Sequence, residues 1–133
     1  MDYSELLLLA EAAQQHAYVP YSQFPVGVAL LTKDGKIFTG CNVENASFGL
    51  TICAERVAIG KAISEGCREF KAIAITAAKA SPCLPCGACR QVLAEFAPDL
   101  ELVFRQAEKQ VWVLTLNDVL PFQFTNASLG GPA

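Results

Sequence analysis

The chain has 133 residues, of which 53% are hydrophobic and 17% are charged, with a formal net charge of −3 at pH 7. This length and composition exclude disorder and predict a single globular domain over residues 1–133. The ten Lys and Arg residues are scattered from Lys33 to Lys109 without a cluster, so we expect a small uncharged substrate and no polynucleotide partner.

The first predicted element is an amphipathic helix over residues 4–17. Its apolar run, Leu6–Leu9, differs from a signal peptide because Asp2 and Glu5 precede it and no Lys or Arg occurs before Lys33. No apolar run approaches the roughly 20 residues that span a bilayer. We therefore expect a cytoplasmic protein without a membrane partner, whose cysteines stay reduced and favour metal binding or catalysis.

The next segments predict a β-hairpin that follows an extended loop. Pro20 and Pro25 enclose the loop, and residues 26–32 and 36–44 have β character on either side of a tight-turn signal at residues 33–35. The hairpin would supply the first two strands of a sheet.

The rest of the chain alternates helical and strand patterns. Helical spacing covers residues 51–65 and 86–97, and short apolar runs typical of strands cover residues 71–78, 100–105 and 111–116. This order predicts an α/β fold, a three-layer sandwich in which helices flank a mixed five-stranded sheet. The polar, Gly- and Pro-rich tail from about residue 125 is expected to be loose.

Three cysteines have the spacing of a catalytic zinc site. Cys86 and Cys89 lie one helical turn apart, and Cys53 is placed in the first turn of the preceding helix. Three thiolates leave the fourth position of a tetrahedral zinc open for water, which distinguishes catalytic from structural zinc. We expect one Zn²⁺ per chain, with helix amino termini favouring the thiolate form.

Two charged residues beside Cys53 are candidates for the chemistry. Glu55 is too close to Cys53 to bind the same ion from a regular helix, so it is predicted to exchange protons with the water. The alternative is a glutamate that only complements the helix dipole. Arg56 is predicted to withdraw electron density from the sulfurs and offset their negative charge, without binding the metal itself. The alternative is a solvated surface arginine.

The remaining cysteines and the single histidine leave further alternatives. Cys83 could act as a fourth sulfur ligand and close the site into a structural zinc module, although Pro85 separates it from the helix. Cys41 and Cys67 lack metal-like spacing and are predicted to be packed residues. His16 has no partner at metal-binding spacing and is predicted to be solvated.

Four segments together resemble the small, homotetrameric, zinc-dependent cytidine deaminases. They carry the sequences PYSQFPVG, GCNVENAS, TICAER and PCGACRQ, at residues 20–27, 40–47, 51–56 and 85–91. The resemblance implies the cytidine deaminase fold, a homotetramer, zinc held by three cysteines, and a glutamate that carries protons.

The resemblance also implies roles for individual residues. Cys53, Cys86 and Cys89 would bind zinc, and Glu55 would be the proton shuttle. The substrate-binding residues would be Phe24, Asn42, Val43, Glu44 and Ala54. Phe124 would reach into the site of a neighbouring subunit.

The implied reaction is the hydrolytic deamination of cytidine and 2′-deoxycytidine in pyrimidine salvage. Water activated at zinc attacks carbon 4 of the ring, and Glu55 passes its proton to ring nitrogen 3 and then protonates the departing amine. The sequence departs from the family at Phe48, where many relatives carry Tyr, and in the loop at residues 81–84. A modified cytosine nucleoside, such as a 4-substituted cytidine or a nucleoside antibiotic, is therefore the alternative substrate.

Overall fold

The structure is a computed structural model that describes residues 1–107 and 110–130. Five strands form one sheet: β1 (Val26–Thr32), β2 (Ile37–Cys41), β3 (Phe70–Ala77), β4 (Glu101–Gln106) and β5 (Gln110–Thr115). Within the same residues, the α-helices are α1 (Tyr3–Gln14), α2 (Ala54–Ser64), α3 (Gly87–Phe96) and α4 (Leu116–Val119). Short 3₁₀ helices span Phe48–Leu50 and Asn126–Leu129.

The sheet is mixed, with the strand order β2-β1-β3-β4-β5. β1 is antiparallel to both of its neighbours, β3 and β4 are parallel, and β5 is antiparallel to β4. Because β2 and β3 both run opposite to β1, their carboxyl ends lie at the same edge of the sheet. The helices that follow them, α2 and α3, therefore begin at that edge.

Helices cover both faces of the sheet, which gives three layers. Along β1, Val28 and Leu30 face the core formed with α2 and α3, whereas Ala29 and Leu31 face α1. All four side chains are buried. The prediction of a three-layer α/β sandwich with a mixed five-stranded sheet is confirmed.

Two glycines let helices lie directly on the strands. A Cβ atom at Gly40 in β2 would lie 2.5 Å from the carbonyl oxygen of Ala54 at the start of α2. A Cβ at Gly27 in β1 would lie 2.1 Å from the carbonyl oxygen of Ala10 in α1. The absence of a side chain at Gly40 thus fixes how closely the first turn of α2 approaches the sheet.

Element boundaries differ from the sequence predictions most clearly at three places, one of which is the start of α2, at Ala54 rather than at residue 51. α1 ends at Gln14 rather than at residue 17, and β2 ends at Cys41 rather than at residue 44. Beyond β2, Val43 forms isolated bridges with Tyr18 and Ile52. The chain leaves the β1–β2 ladder at Asn42 because it turns there toward the start of α2.

The segments near the carboxyl end include a helix that the sequence patterns did not indicate. α4 has four residues, and Thr115 and Asp118 form a reciprocal capping box at its start. The segment predicted to be loose includes the 3₁₀ helix Asn126–Leu129, while residues 131–133 lie outside the described residues. In the described ranges, no helix has the length and apolar character needed to cross a membrane.

Candidate functional site

Three cysteine sulfurs meet where α2 and α3 begin. Cys53 directly precedes α2, Cys86 directly precedes α3, and Cys89 lies in the first turn of α3. Their Sγ atoms all lie within 4.8 Å of one another. A tetrahedral zinc ion with Zn–S bonds of about 2.3 Å separates its sulfur ligands by about 3.8 Å. The donor set therefore fits zinc and leaves one coordination position for another ligand.

Both helix starts lack the usual side-chain cap. The sequence placed Cys53 in the first turn of its helix, but the structure has it at the N-cap position, as it has Cys86 for α3. Neither cysteine side chain accepts a hydrogen bond from the first turn of its helix, a task that Ser, Thr, Asp or Asn commonly performs. The positive ends of two helix dipoles thus lie beside the sulfurs, where they favour thiolates.

Arg56 donates hydrogen bonds into the sulfur cluster. Its Nη2 lies 3.4 Å from Cys53 Sγ and 3.4 Å from the carbonyl oxygen of Thr51. Its Nε is buried and has no hydrogen-bond partner among the described residues. The side chain is partly buried, so the alternative of a solvated surface arginine does not describe it.

A hydrogen bond between Cys89 and Cys53 favours the thiol form of Cys89 and the thiolate form of Cys53. The pKa of Cys53 is lowered to about 5, first because Cys89 donates to it and then because of the hydrogen bond and charge of Arg56. The pKa of Cys89 is raised because it is the donor in that pair and because it is buried. Zinc requires the thiolate of each ligand, so metal binding releases the proton that the pair shares.

Glu55 is a buried carboxyl group beside the cysteines. It lies in the first turn of α2 and is only 5% exposed. Burial raises its pKa to about 7, and the negative charge of Cys53 adds to the rise. A carboxyl group of this pKa can both accept and donate a proton near neutral pH, as general acid–base catalysis requires.

Cys83 lies outside the sulfur cluster. Only Cys53, Cys86 and Cys89 form a group of metal-binding side chains within the described residues. Cys83 packs against the core shared by α2 and α3, and burial followed by the charge of Glu55 raises its thiol pKa to about 11. Because Cys83 lies outside the group of three sulfurs, the closed four-sulfur alternative is not the arrangement that the structure forms.

Asn42 connects the end of β2 to the proline-rich loop. Its Nδ2 donates to the carbonyl oxygen of Phe24 at 2.9 Å, and its Oδ1 accepts from the backbone N–H of Val26 at 2.9 Å. The side-chain amide thus takes the place of a backbone pair beyond the end of the ladder. One amide hydrogen of Asn42 remains for another partner.

Glu44 holds the other end of the same loop. Its Oε1 accepts from the backbone N–H groups of Tyr21 and Ser22 at 3.0 and 3.1 Å, and its Oε2 accepts from the Ser22 hydroxyl. These hydrogen bonds, the hydroxyl first, lower the pKa of the carboxyl group. The sequence indicated Glu44, but it did not indicate that Tyr21 and Ser22 would be fastened to it.

A groove lies between this loop and the segment before α2. Its volume is about 300 Å³, and its lining residues are Tyr21, Ser22, Glu44, Phe48 and Thr51. The rings of Tyr21 and Phe48 meet edge to face with their centroids 5.5 Å apart. Thr51 is two residues from Cys53, and its carbonyl oxygen accepts a hydrogen bond from Arg56 Nη2.

The other residues indicated by the sequence have different surroundings. Val43 is 40% exposed, whereas Ala54 is fully buried and packs in the core shared with α3. Phe124 is 59% exposed, and its carbonyl oxygen accepts from Gln91 Nε2 at 2.8 Å. His16 is exposed and lies beyond the end of α1.

Comparisons with known proteins agree with this geometry. Residues 1–105 match the family described as "Cytidine and deoxycytidylate deaminase zinc-binding region". A cytidine deaminase of Halalkalibacterium halodurans is 49% identical over 126 residues, which cover 94% of this chain and 96% of the relative. A blasticidin-S deaminase of Bacillus cereus is 30% identical over 129 residues, which cover 90% of this chain and 91% of the relative.

The folds also correspond. The crystal structure of a cytidine deaminase from Burkholderia pseudomallei superposes with a TM-score of 0.88 at 50% identity, covering 93% of this chain and all of that one. The family match spans more than half of the chain and includes all three clustered cysteines. The chain therefore belongs to the zinc-binding cytidine and deoxycytidylate deaminase family.

Proposed function

We propose that this chain catalyses the zinc-dependent hydrolytic deamination of cytidine and 2′-deoxycytidine to uridine and 2′-deoxyuridine, as a cytoplasmic enzyme of pyrimidine salvage. The observation that carries the proposal is a buried carboxyl group, Glu55, with a pKa of about 7 beside a three-sulfur cluster. The cytidine deaminases of similar sequence and fold support the same reaction.

In this proposal Cys53, Cys86 and Cys89 hold one zinc ion per chain. Zinc, when bound, supplies a Lewis acid that makes a water molecule reactive at neutral pH. Arg56 donates toward Cys53 and offsets part of the negative charge of three thiolates. Because Cys89 and Glu55 are buried, packing restricts the movement of these two side chains.

Glu55 moves the protons of the reaction. It takes one proton from the attacking water and delivers it to ring nitrogen 3. It then takes the second proton from the hydroxyl group now on carbon 4 and delivers it to the amino group, which leaves as ammonia while the carbon 4 carbonyl forms. Burial raises the pKa of Glu55 above the usual value for a glutamate, which brings proton uptake closer to the working pH. One carboxyl group serves first as the base and then as the acid.

Five residues are proposed to bind the nucleoside: Phe24, Asn42, Val43, Glu44 and Ala54. Asn42 and Glu44 are already hydrogen-bonded to the loop at residues 21–26, so they would offer the sugar their remaining amide hydrogen and carboxylate lone pairs. The charge of Glu44 disfavours a 5′-phosphate. We therefore propose a free nucleoside rather than a nucleotide.

The functional unit is proposed to be a homotetramer of single-domain chains. Large apolar side chains are exposed on the segments around the groove: Tyr18, Tyr21, Val43, Phe48, Leu50 and Ile52. Contiguous exposed apolar surface commonly marks an interface. In such an assembly the exposed Phe124 would contact the site of a neighbouring subunit.

The direct test is turnover of cytidine by the purified, zinc-loaded protein, followed as the loss of cytosine absorbance. The matched control is Glu55→Gln, which keeps the size of the side chain but cannot accept the proton, and its rate should fall by about 10²- to 10⁴-fold. The control must retain zinc for the comparison to hold. Absence of turnover by zinc-loaded wild-type protein would contradict the proposal.

A modified cytosine nucleoside is the second candidate substrate, favoured by the blasticidin-S deaminase at 30% identity. The higher identity to a cytidine deaminase, 49%, places cytidine first. A panel of cytidine, deoxycytidine, 4-substituted cytidines and blasticidin S distinguishes the two. A higher kcat/KM for any of the modified substrates than for cytidine would reverse the order.

A further inference from the structure

Of the three clustered cysteines, Cys86 has the least support from its own surroundings. Cys89 is fully buried, and Cys53 has Arg56 against its sulfur, whereas Cys86 is exposed. The residue before it, Pro85, is buried and has no backbone N–H. The carbonyl oxygen is thus the only backbone group of Pro85 that can be held by a hydrogen bond.

The group that holds this oxygen is the side chain of Arg90. Its Nε donates to the carbonyl oxygen of Pro85 at 2.9 Å, and its Nη1 donates to the carbonyl oxygen of Val119 at 2.9 Å. The backbone N–H of Arg90 also donates to the carbonyl oxygen of Cys86 at 3.0 Å. One residue therefore holds both peptide carbonyls around Cys86 and ties them to the end of α4.

The role of Arg90 is not that of an ion-paired arginine. No carboxylate among the described residues forms a salt bridge with it, and its side chain is partly buried. The planar guanidinium sets the direction of its N–H groups relative to one another. Two carbonyl groups from separate elements are therefore fixed in one geometry, which a flexible ammonium group would reproduce poorly.

We infer that Arg90 is a positioning residue for Cys86, holding this ligand in place for zinc through the carbonyl oxygen of Pro85. The inference rests on the proposed zinc site. Arg90 would not touch the metal or the substrate. It limits how far the exposed sulfur of Cys86 can move from Cys53 and Cys89. Mutation of residues that orient metal ligands commonly changes metal affinity by about 10- to 100-fold.

Two neighbouring contacts provide matched controls. Gln91 is adjacent to Arg90 on α3, and its side chain donates to the carbonyl oxygen of Phe124 at 2.8 Å. Gln91→Ala therefore removes a hydrogen bond to the segment around Phe124 and leaves the contact with Pro85 in place. Arg105 on β4 pairs with Glu11 at 2.7 Å, so Arg105→Gln removes a partly buried guanidinium whose side-chain partner is Glu11 and not Pro85. These variants separate general loss of a polar contact from loss of support at Pro85.

The experiment measures zinc release to a chromogenic chelator from wild-type protein, Arg90→Gln, Arg90→Lys and the two controls. We expect Arg90→Gln to release zinc about tenfold faster or more, Arg90→Lys to fall between it and the wild type, and both controls to match the wild type. Cobalt-substituted protein gives a second measurement, since a displaced Cys86 should alter the thiolate-to-cobalt absorption at equal metal content.

Equal release rates for Arg90→Gln and wild-type protein, with unchanged cobalt spectra, would overturn the inference. If Arg90→Gln does not fold by circular dichroism, Arg90→Lys decides by the same two criteria. Cys86→Ser separates this result from the proposed function. Wild-type protein that binds no zinc contradicts the zinc site itself, whereas zinc lost by Cys86→Ser but kept by both Arg90 variants contradicts only the role of Arg90.

Discussion

Two opposing effects act on Glu55, and burial is the larger. A glutamate in the first turn of a helix is ordinarily stabilised as a carboxylate by the helix dipole. Here the side chain is 5% exposed and near the Cys53 sulfur, and its pKa is raised to about 7. The alternative in which Glu55 only complements the helix dipole does not account for a buried carboxyl group of this pKa.

The spacing of residues predicted which side chains would meet, but not how each would be protonated. The Cys-x-Glu and Pro-Cys-x-x-Cys patterns bring Cys53, Glu55 and Cys86 to two helix starts, because helix geometry is local. The burial of Glu55 depends on contacts from distant segments, which the pattern does not contain. For the same reason the sequence did not indicate that Asn42 and Glu44 fasten a loop.

Replacement of single cysteines distinguishes an open from a closed site. Cys86→Ser should lose most of the bound zinc because it removes one of three sulfurs within 4.8 Å. Cys83→Ser should keep both zinc and activity, since Cys83 lies outside that group. Zinc per chain is measured by elemental analysis. Joint loss of zinc and activity in Cys83→Ser would indicate that Cys83 is a fourth zinc ligand.

The Tyr3–Glu101 hydrogen bond gives a pH-dependent contribution to stability. The Tyr3 hydroxyl donates to Glu101 Oε1 at 2.7 Å, and burial followed by this bond raises the Tyr3 pKa to about 12. The neutral phenol is favoured in the folded state, so the stabilisation is complete below the unfolded pKa near 10 and is lost as the pH rises through about 12.

Tyr3→Phe should therefore lower the free energy of unfolding by about 1 kcal/mol at pH 8. The difference between wild type and variant should shrink as the pH rises from about 10 toward 12. Urea denaturation across this range measures both effects. A difference that stays constant with pH would show that the hydroxyl does not titrate with folding.

At the scale of elements, the contact of α2 with β2 sets the position of the site. Gly40 lies under the first turns of α2, where the carbonyl oxygen of Ala54 and the backbone nitrogen of Ala58 would be 2.5 and 2.8 Å from a Cβ atom. The helix that carries Glu55 and Arg56 thus rests on the strand itself. Any added group at Gly40 moves one against the other.

Gly40→Ala should reduce both stability and activity, because relieving the clash displaces α2. Overpacking of this kind commonly costs about 1–3 kcal/mol. Gly27→Ala is the matched control, since its clash is with Ala10 in α1, which carries none of the proposed site residues. We expect it to lower the denaturation midpoint but to leave kcat of the folded enzyme near the wild-type value.

Gly60→Ala serves as the second control for the same helix. Nothing lies within 4 Å of a Cβ atom at this exposed position of α2, so the substitution should stabilise by about 1 kcal/mol through helix propensity. Denaturation midpoints and kcat are measured for all three variants. Equal loss of kcat in Gly27→Ala and Gly40→Ala would mean that the α2–β2 contact has no special relation to catalysis.

The longer elements were predictable because each carries a repeated pattern, whereas the short ones were not. α4 has four residues, too few for helical periodicity, and its capping box is visible only once Thr115 and Asp118 are in place. β2 ends earlier than its β-compatible sequence, directly before Asn42, whose side chain binds the loop backbone at Phe24 and Val26. Local propensity gives no sign of that contact.

At the scale of the whole molecule, the strand order brings two distant helix starts together. β2 and β3 run in the same direction on either side of β1, so α2 and α3 both begin at one edge of the sheet. The sequence predicted a mixed five-stranded sheet, since alternating helices and strands imply crossovers. The order of the strands in the sheet could not be deduced from the patterns, because the β1–β2 hairpin could pair with either edge of the sheet formed by the other strands.

The exposed apolar side chains around the groove lead to a prediction about assembly. The native mass should be about four times the 14.2 kDa chain mass, and Leu50→Asp should lower it, because Leu50 is 65% exposed within that apolar surface. Leu8→Asp, at 60% exposure on α1, is the matched control outside it. Sedimentation velocity measures the masses, and a monomeric wild type would contradict the tetramer.

The two helix starts without side-chain caps have a consequence for local dynamics. With thiolates at the positions of the caps, zinc would draw Cys53 and Cys86 against the first turns of α2 and α3. In hydrogen-exchange experiments, adding zinc to metal-free protein should slow amide exchange in these two turns while α1, whose start is capped by Asp2, changes little. Loss of the metal would then be seen as the simultaneous fraying of two helices far apart in the sequence.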